Sequence, residues 1–142
     1  MKGQSSLELL VTVGIVVAFT VPVLFLLLSA TSIGYEDTAK AQADASSRTL
    51  ADTMNSVYAQ GAGAKRLILL NVPSATQEIY ASGGEAVVSI KTQSGDFDAA
   101  SPTIAEISGT SQTLGKKTGL FLISIEADSV TGEVKLVDPL SP

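Results

Sequence analysis

The chain has no cysteine, no histidine and no tryptophan. Without cysteine it has no disulfide framework and no thiolate nucleophile; without histidine it lacks the commonest general base and the usual zinc ligand. Whatever holds an exterior domain together is therefore packing. Basic residues are also scarce, nine against fourteen acidic ones. Lys2 and Glu8 are the only charges ahead of residue 36, so the net charge of −5 belongs to the remainder. A mildly acidic surface argues against nucleic acid and against anionic lipid headgroups.

What the chain has instead is an uncharged run over residues 9–35, rich in Leu, Val, Ile and Phe. As a helix it would reach ~40 Å at about 1.5 Å per residue, against a hydrocarbon layer of roughly 30 Å. In 142 residues this leaves room for one modest exterior domain. An ordinary membrane anchor accounts for the span but not for its flanks. A cleaved secretory signal would use the small residues of Ala30-Thr31-Ser32, yet its apolar region is normally about 7–15 residues long and its flank positive, whereas Glu8 cancels Lys2 here.

A third reading uses the flanking residues. Lys2-Gly3-Gln4, followed by Ser6 and Glu8, resembles the class III signal of archaeal type IV pilins, whose pattern runs Q-x-S-x-E-x-x-x-L. Gln4, Ser6 and Glu8 match in place; Thr12 stands where the pattern has leucine, with Leu9 and Leu10 close by. The resemblance implies a prepilin peptidase that cuts on the cytoplasmic side between Gly3 and Gln4, leaving a free amine on Gln4. A glycine before the cut places no Cβ in a narrow cleft, and Lys2 stays inside as membrane topology requires. Gln-Ser-Ser-Leu-Glu favours a pilus over an archaellum, whose subunits usually begin with a different, glycine-containing apolar sequence.

Glu8 is the costly residue. An ionised carboxylate in an apolar helix costs roughly 2.5–3.5 kcal/mol at the bilayer centre and less near the interface. It could sit at headgroup level, where its charge suits a helix N-terminus. The resemblance implies a second role, pairing with the Gln4 amine of a neighbouring subunit and so setting register. Gly14 and Pro22 interrupt the run, and Pro22 lacks the amide that would bond to Ala18, so a kink or loosened turn is expected there.

From Tyr35 the composition turns to alanine and polar residues, with no loop signal before Gly61-Ala62-Gly63. Ala39, Ala43, Ser47, Leu50, Met54, Val57 and Tyr58 recur at steps of three or four, opposite Asp37, Lys40, Asp44, Arg48 and Asp52. One helix from about Ser5 to Gln60 is expected, a length that suits a protruding rod. After Gly63 the period becomes two, and strands are expected at Arg66–Val72, Glu78–Ala81, Glu85–Thr92, Thr103–Ile107, Gly119–Ala127 and Glu133–Val137, with tight turns at Gly83-Gly84 and Val130-Thr131-Gly132. The fold class is α+β: a long N-terminal helix, hydrophobic then amphipathic, and a small antiparallel sheet covering Leu50, Met54 and Val57. The organisation expected is a leader at 1–3, a helix at 4–61 with its apolar part at 7–30 and its amphipathic part at 35–60, and a head at 64–142.

The loops carry weak signals only. Gly115-Lys116-Lys117-Thr118 has part of a phosphate-loop pattern, but Gly109 is one residue too far upstream, Lys117 replaces the hydroxyl residue and a strand follows where a helix should. Asp96-Phe97-Asp98 offers two carboxylates, short of the 6–8 oxygens calcium takes, and reads as a solvated loop. No serine has a base placed beside it by motif, and neither Asn55 nor Asn71 begins a glycosylation sequon. Neither an enzyme nor a cofactor is expected. The resemblance implies a homopolymeric adhesion filament on the cell surface, built from a membrane-inserted precursor by the peptidase and a pilus assembly platform, with Gln4, Glu8, Gly14 and Pro22 in the assembly helix. A minor pilin or pseudopilin, and a membrane-anchored binding domain that never polymerises, are the alternatives.

Overall fold

The computed structural model describes residues 2–140. A single helix, α1, runs from Lys2 to Gln60. The contact pattern divides the chain into two units, one ending at Tyr35 and one beginning at Glu36.

In the first unit the helix runs unbroken through Gly14 and Pro22, so the kink or loosened turn expected near Ala18–Pro22 does not end it. The missing Pro22 amide removes one backbone bond, which the surrounding turns outweigh. Its hydroxyls turn inward on their own backbone: Thr12 donates to the Glu8 carbonyl at 2.8 Å, Thr20 to Val16 at 2.7 Å and Thr31 to Leu27 at 2.9 Å. Polar side chains that satisfy themselves in this way can face an apolar solvent without an orphaned donor.

The second unit contains residues 36–60 of α1 and seven strands. These are β1 (Lys65–Val72), β2 (Thr76–Ser82), β3 (Glu85–Thr92), β4 (Gly95–Pro102), β5 (Ser111–Gly115), β6 (Gly119–Ala127) and β7 (Val134–Val137). The helix stops at Gly61, whose φ of +89° costs little without a Cβ and whose amide bonds to the Tyr58 carbonyl at 3.1 Å. Two antiparallel sheets result, not the single sheet expected: β1-β6-β7 and β4-β3-β2-β5. Gly83 and Gly84, at φ +60° and +83°, make the tight β2–β3 turn as expected.

Thr103–Ile107 is not a strand. Its burial alternates like one, but its amides are used outside any ladder: Thr103 donates to the Gly84 carbonyl, Ile104 to the Asn55 side chain and Ala105 to the Thr103 hydroxyl. Only a single parallel bridge, Ile107 to Val134, joins this segment to a strand. Conversely, Asp96-Phe97-Asp98 is no loop. It lies in β4, which turns Ala99 and Ser101 inward and leaves both aspartates exposed.

The core forms between the helix and the sheets. Ala43, Leu50, Met54 and Val57 are fully buried in one cluster with Ile79, Val88, Ile90, Ile123 and Ile125, so the stripe legible in the sequence is the stripe that packs. Replacing Leu50 or Met54 by alanine would cost about 2–5 kcal/mol at such sites. Polar bonds tie the helix to an edge strand of each sheet. Towards β1, Ser46 donates to the Asn71 carbonyl at 2.6 Å and Arg66 to the Ser56 hydroxyl at 3.1 Å. Towards β4, Ser47 meets Ser101 at 2.9 Å. Beyond β4, Thr103 donates to the Asn55 amide oxygen at 2.7 Å.

Candidate assembly site

Leu7, Leu10, Phe19, Leu26 and Leu28 are each more than 60% exposed, and no residue of the apolar window is buried within the chain. An apolar helix exposed all round needs a second apolar environment, lipid or other helices. The described residues contain one helix long and apolar enough to cross a membrane, and it is compatible with membrane insertion.

Lys2 and Gly3 belong to the backbone of α1, and the surroundings of the two predicted processing residues lie outside what is described. Gln4, Ser6 and Glu8 are exposed on the first turns, with Gln4 and Glu8 one turn apart on one face. Pro22 returns to the face of Gln4, because eighteen residues make about five turns. Gly14 has no atom outside its own turn near its Cβ position, so a partner backbone can approach there. Gly14 and Ala18 are four apart, a small-xxx-small pair that lets helices pack closely, and Pro22 follows after another four. Small-xxx-small spacing was the signal in the sequence for Ala18, which reading Gly14 and Pro22 only as breaks passes over.

No group of three or more His, Cys, Asp or Glu side chains able to hold a metal comes together among the described residues. Lys117 is ion-paired with Asp138 and precedes β6, so the lysine-rich loop is not built like a phosphate cradle. Asp128 closes the β6–β7 turn by accepting the amides of Val130 at 2.8 Å and Thr131 at 3.0 Å, which hold its carboxyl below the ordinary range. Glu126 is also held low, chiefly by the hydrogen bond from Lys65 at 2.6 Å, then by Ser124. Burial, then the carboxylates of Asp98, Glu78 and Glu85, push the Tyr80 hydroxyl upward. Asp128 thus locks a turn, and Glu126 ties β6 to its neighbours β1 and β7.

No family model, curated protein or solved structure matches this chain.

Proposed function

We propose that the chain is the structural subunit of an archaeal type IV pilus-like adhesion filament, cut between Gly3 and Gln4 and assembled through residues 7–30. The observation that carries this reading is an apolar helix with every face exposed, preceded by Gln4, Ser6 and Glu8 in the class III spacing. Polymerisation, not catalysis, is the mechanism. Leaving lipid gives an apolar helix little hydrophobic gain, so close packing at the Gly14–Ala18 pair and charge pairing at Glu8 must favour the bundle over the bilayer, with the assembly platform driving extraction. Contacts of this head-to-tail kind do not close and grow as a helical fibre. N-terminal sequencing of protein sheared from cell surfaces tests the reading. A free Gln4 in filaments supports it; an intact Met1 in a membrane-resident monomer overturns it in favour of an anchored domain. Low abundance in filaments built mainly of another subunit would instead make it a minor pilin.

A further inference from the structure

The outward faces of the two sheets differ in chemistry. On the three-stranded sheet, Leu69 stands opposite Leu122, with Leu67 and Leu120 two residues along their strands. These four side chains are 55, 42, 55 and 63% exposed, respectively. A contiguous leucine surface of this kind on a soluble head marks an interaction site. One end of it is crossed by the row Lys65, Glu126, Lys135, in which two ammonium groups share one carboxylate. On the four-stranded sheet the register aligns Tyr80, Val87 and Ala100 in one row, in which Ala100 is exposed, Tyr80 is half-buried and Val87 between them is buried at 4% exposure. Carboxylates flank that row on both sides: Glu85 on one, Glu78 and Asp98 on the other.

We propose that the leucine face of one copy docks on the next copy over the accessible side chains of that row, Tyr80 and Ala100, with its Lys65 and Lys135 end against the Glu78 and Asp98 flank. The inference rests on the filament reading. Subunits that all point one way along a fibre have no two-fold axis between neighbours, so a self-complementary leucine-to-leucine contact is excluded and two different faces must meet. Charge selects the partner face: an excess of cations at one end of the leucine patch meets an excess of anions beside that row. Area fits as well. Four half-exposed leucines offer on the order of a few hundred Å², below the ~1,200–2,000 Å² of a stable free complex. Such a contact forms only where another interface already holds the copies together, which is the role of the apolar helices.

The cysteine-free chain makes the test clean. Leu69→Cys and Ala100→Cys lie on exposed positions and are made singly and together in the full chain. Filaments are treated with a bis-maleimide reaching about 10 Å, the separation of facing sheets. The double variant should give a ladder of covalent multimers, and a mixture of the two single variants should give dimers that neither gives alone. Dimers from Leu69→Cys alone, or no ladder in double-variant filaments of normal appearance, overturn the docking while leaving the filament reading intact. Wild-type protein that neither pellets nor shows fibres by electron microscopy defeats the filament reading, and this inference with it. In a second measurement, Leu69→Glu with Leu122→Glu should leave the membrane pool folded by circular dichroism but cut pelletable filament at least about tenfold, a factor equal to about 1.4 kcal/mol. Unchanged pelletable filament from that variant also overturns the docking.

Discussion

Ser47 on the helix and Ser101 on β4 share a buried hydrogen bond of 2.9 Å across 54 residues of sequence. Ser47 also reaches the Asp44 carbonyl at 3.0 Å, and with its single hydrogen on that carbonyl Ser101 is the donor to Ser47. The two serines are therefore unequal. Ser47→Ala orphans a buried donor and should cost about 1–3 kcal/mol, whereas Ser101→Ala leaves Ser47 with a partner and should cost about 0.5–1.5 kcal/mol. Chemical denaturation of the full chain in detergent, followed by tyrosine near-UV circular dichroism, checks the order. Equal losses would show that the hydroxyls are not arranged in this relay.

Asn55 should be a clasp for the irregular segment after β4. Its amide oxygen accepts from the Thr103 hydroxyl at 2.7 Å and the Ile104 amide at 2.9 Å. Asn55→Ala removes both and should destabilise by about 1–3 kcal/mol, while Asn55→Asp keeps the acceptor and should lose less. Amide hydrogen exchange at Ile104 and Ala105 is the local readout: faster in Asn55→Ala, near wild type in Asn55→Asp.

Acid should loosen the β1–β6 pairing first. The Lys65 hydrogen bond holds the folded carboxyl of Glu126 below its ordinary value, so its stabilisation is complete above the unfolded carboxylate pKa of about 4.3 and is lost as pH falls through the folded one. Asp128 contributes in the same direction. Between about pH 6 and about pH 3 the melting temperature of wild type should therefore fall further than that of Glu126→Gln. Identical slopes for the two proteins would show that this pair is not the acid-sensitive one.

How much of this architecture could be read beforehand depended on whether a residue's partners are local. The stripe from Ala39 to Tyr58 and the Gly83-Gly84 turn were legible because helix period and positive φ are properties of a few neighbouring residues. β4 was not, since its inward residues after Phe97 are only Ala99 and Ser101, and its outward aspartates look like a loop. Thr103–Ile107 misled in the opposite sense. Thr-Ile-Ala-Glu-Ile alternates as a strand would, but Pro102 ends the ladder and Asn55, distant in sequence, captures the amide of Ile104. The split into two sheets was also hidden, because β1 pairs with β6 across four intervening strands, a pairing that no local pattern encodes. For the apolar half of α1, exposure was legible from hydropathy alone, but the outward leucines of β1 and β6 were indistinguishable from core leucines until register set their face.

Glu8 gives the sharpest test of assembly. If its carboxylate meets the new Gln4 amine of a neighbour at ~4 Å, the attraction is about 4 kcal/mol at an effective dielectric of 20, before the cost of desolvating both charges. Net stabilisation is then small, and the pair acts on register. Glu8→Gln keeps the size and loses the charge, so the protein should still insert and still be cut before Gln4, yet form filaments slowly and in low yield. Gly3→Val should fail one step earlier, remaining uncut and confined to the membrane. Cleavage is read by mass spectrometry of the membrane fraction and assembly by shearing and pelleting. A Glu8→Gln protein that is cut and yields wild-type filament mass would show that the helices find register through the Gly14–Ala18 pair without charge pairing.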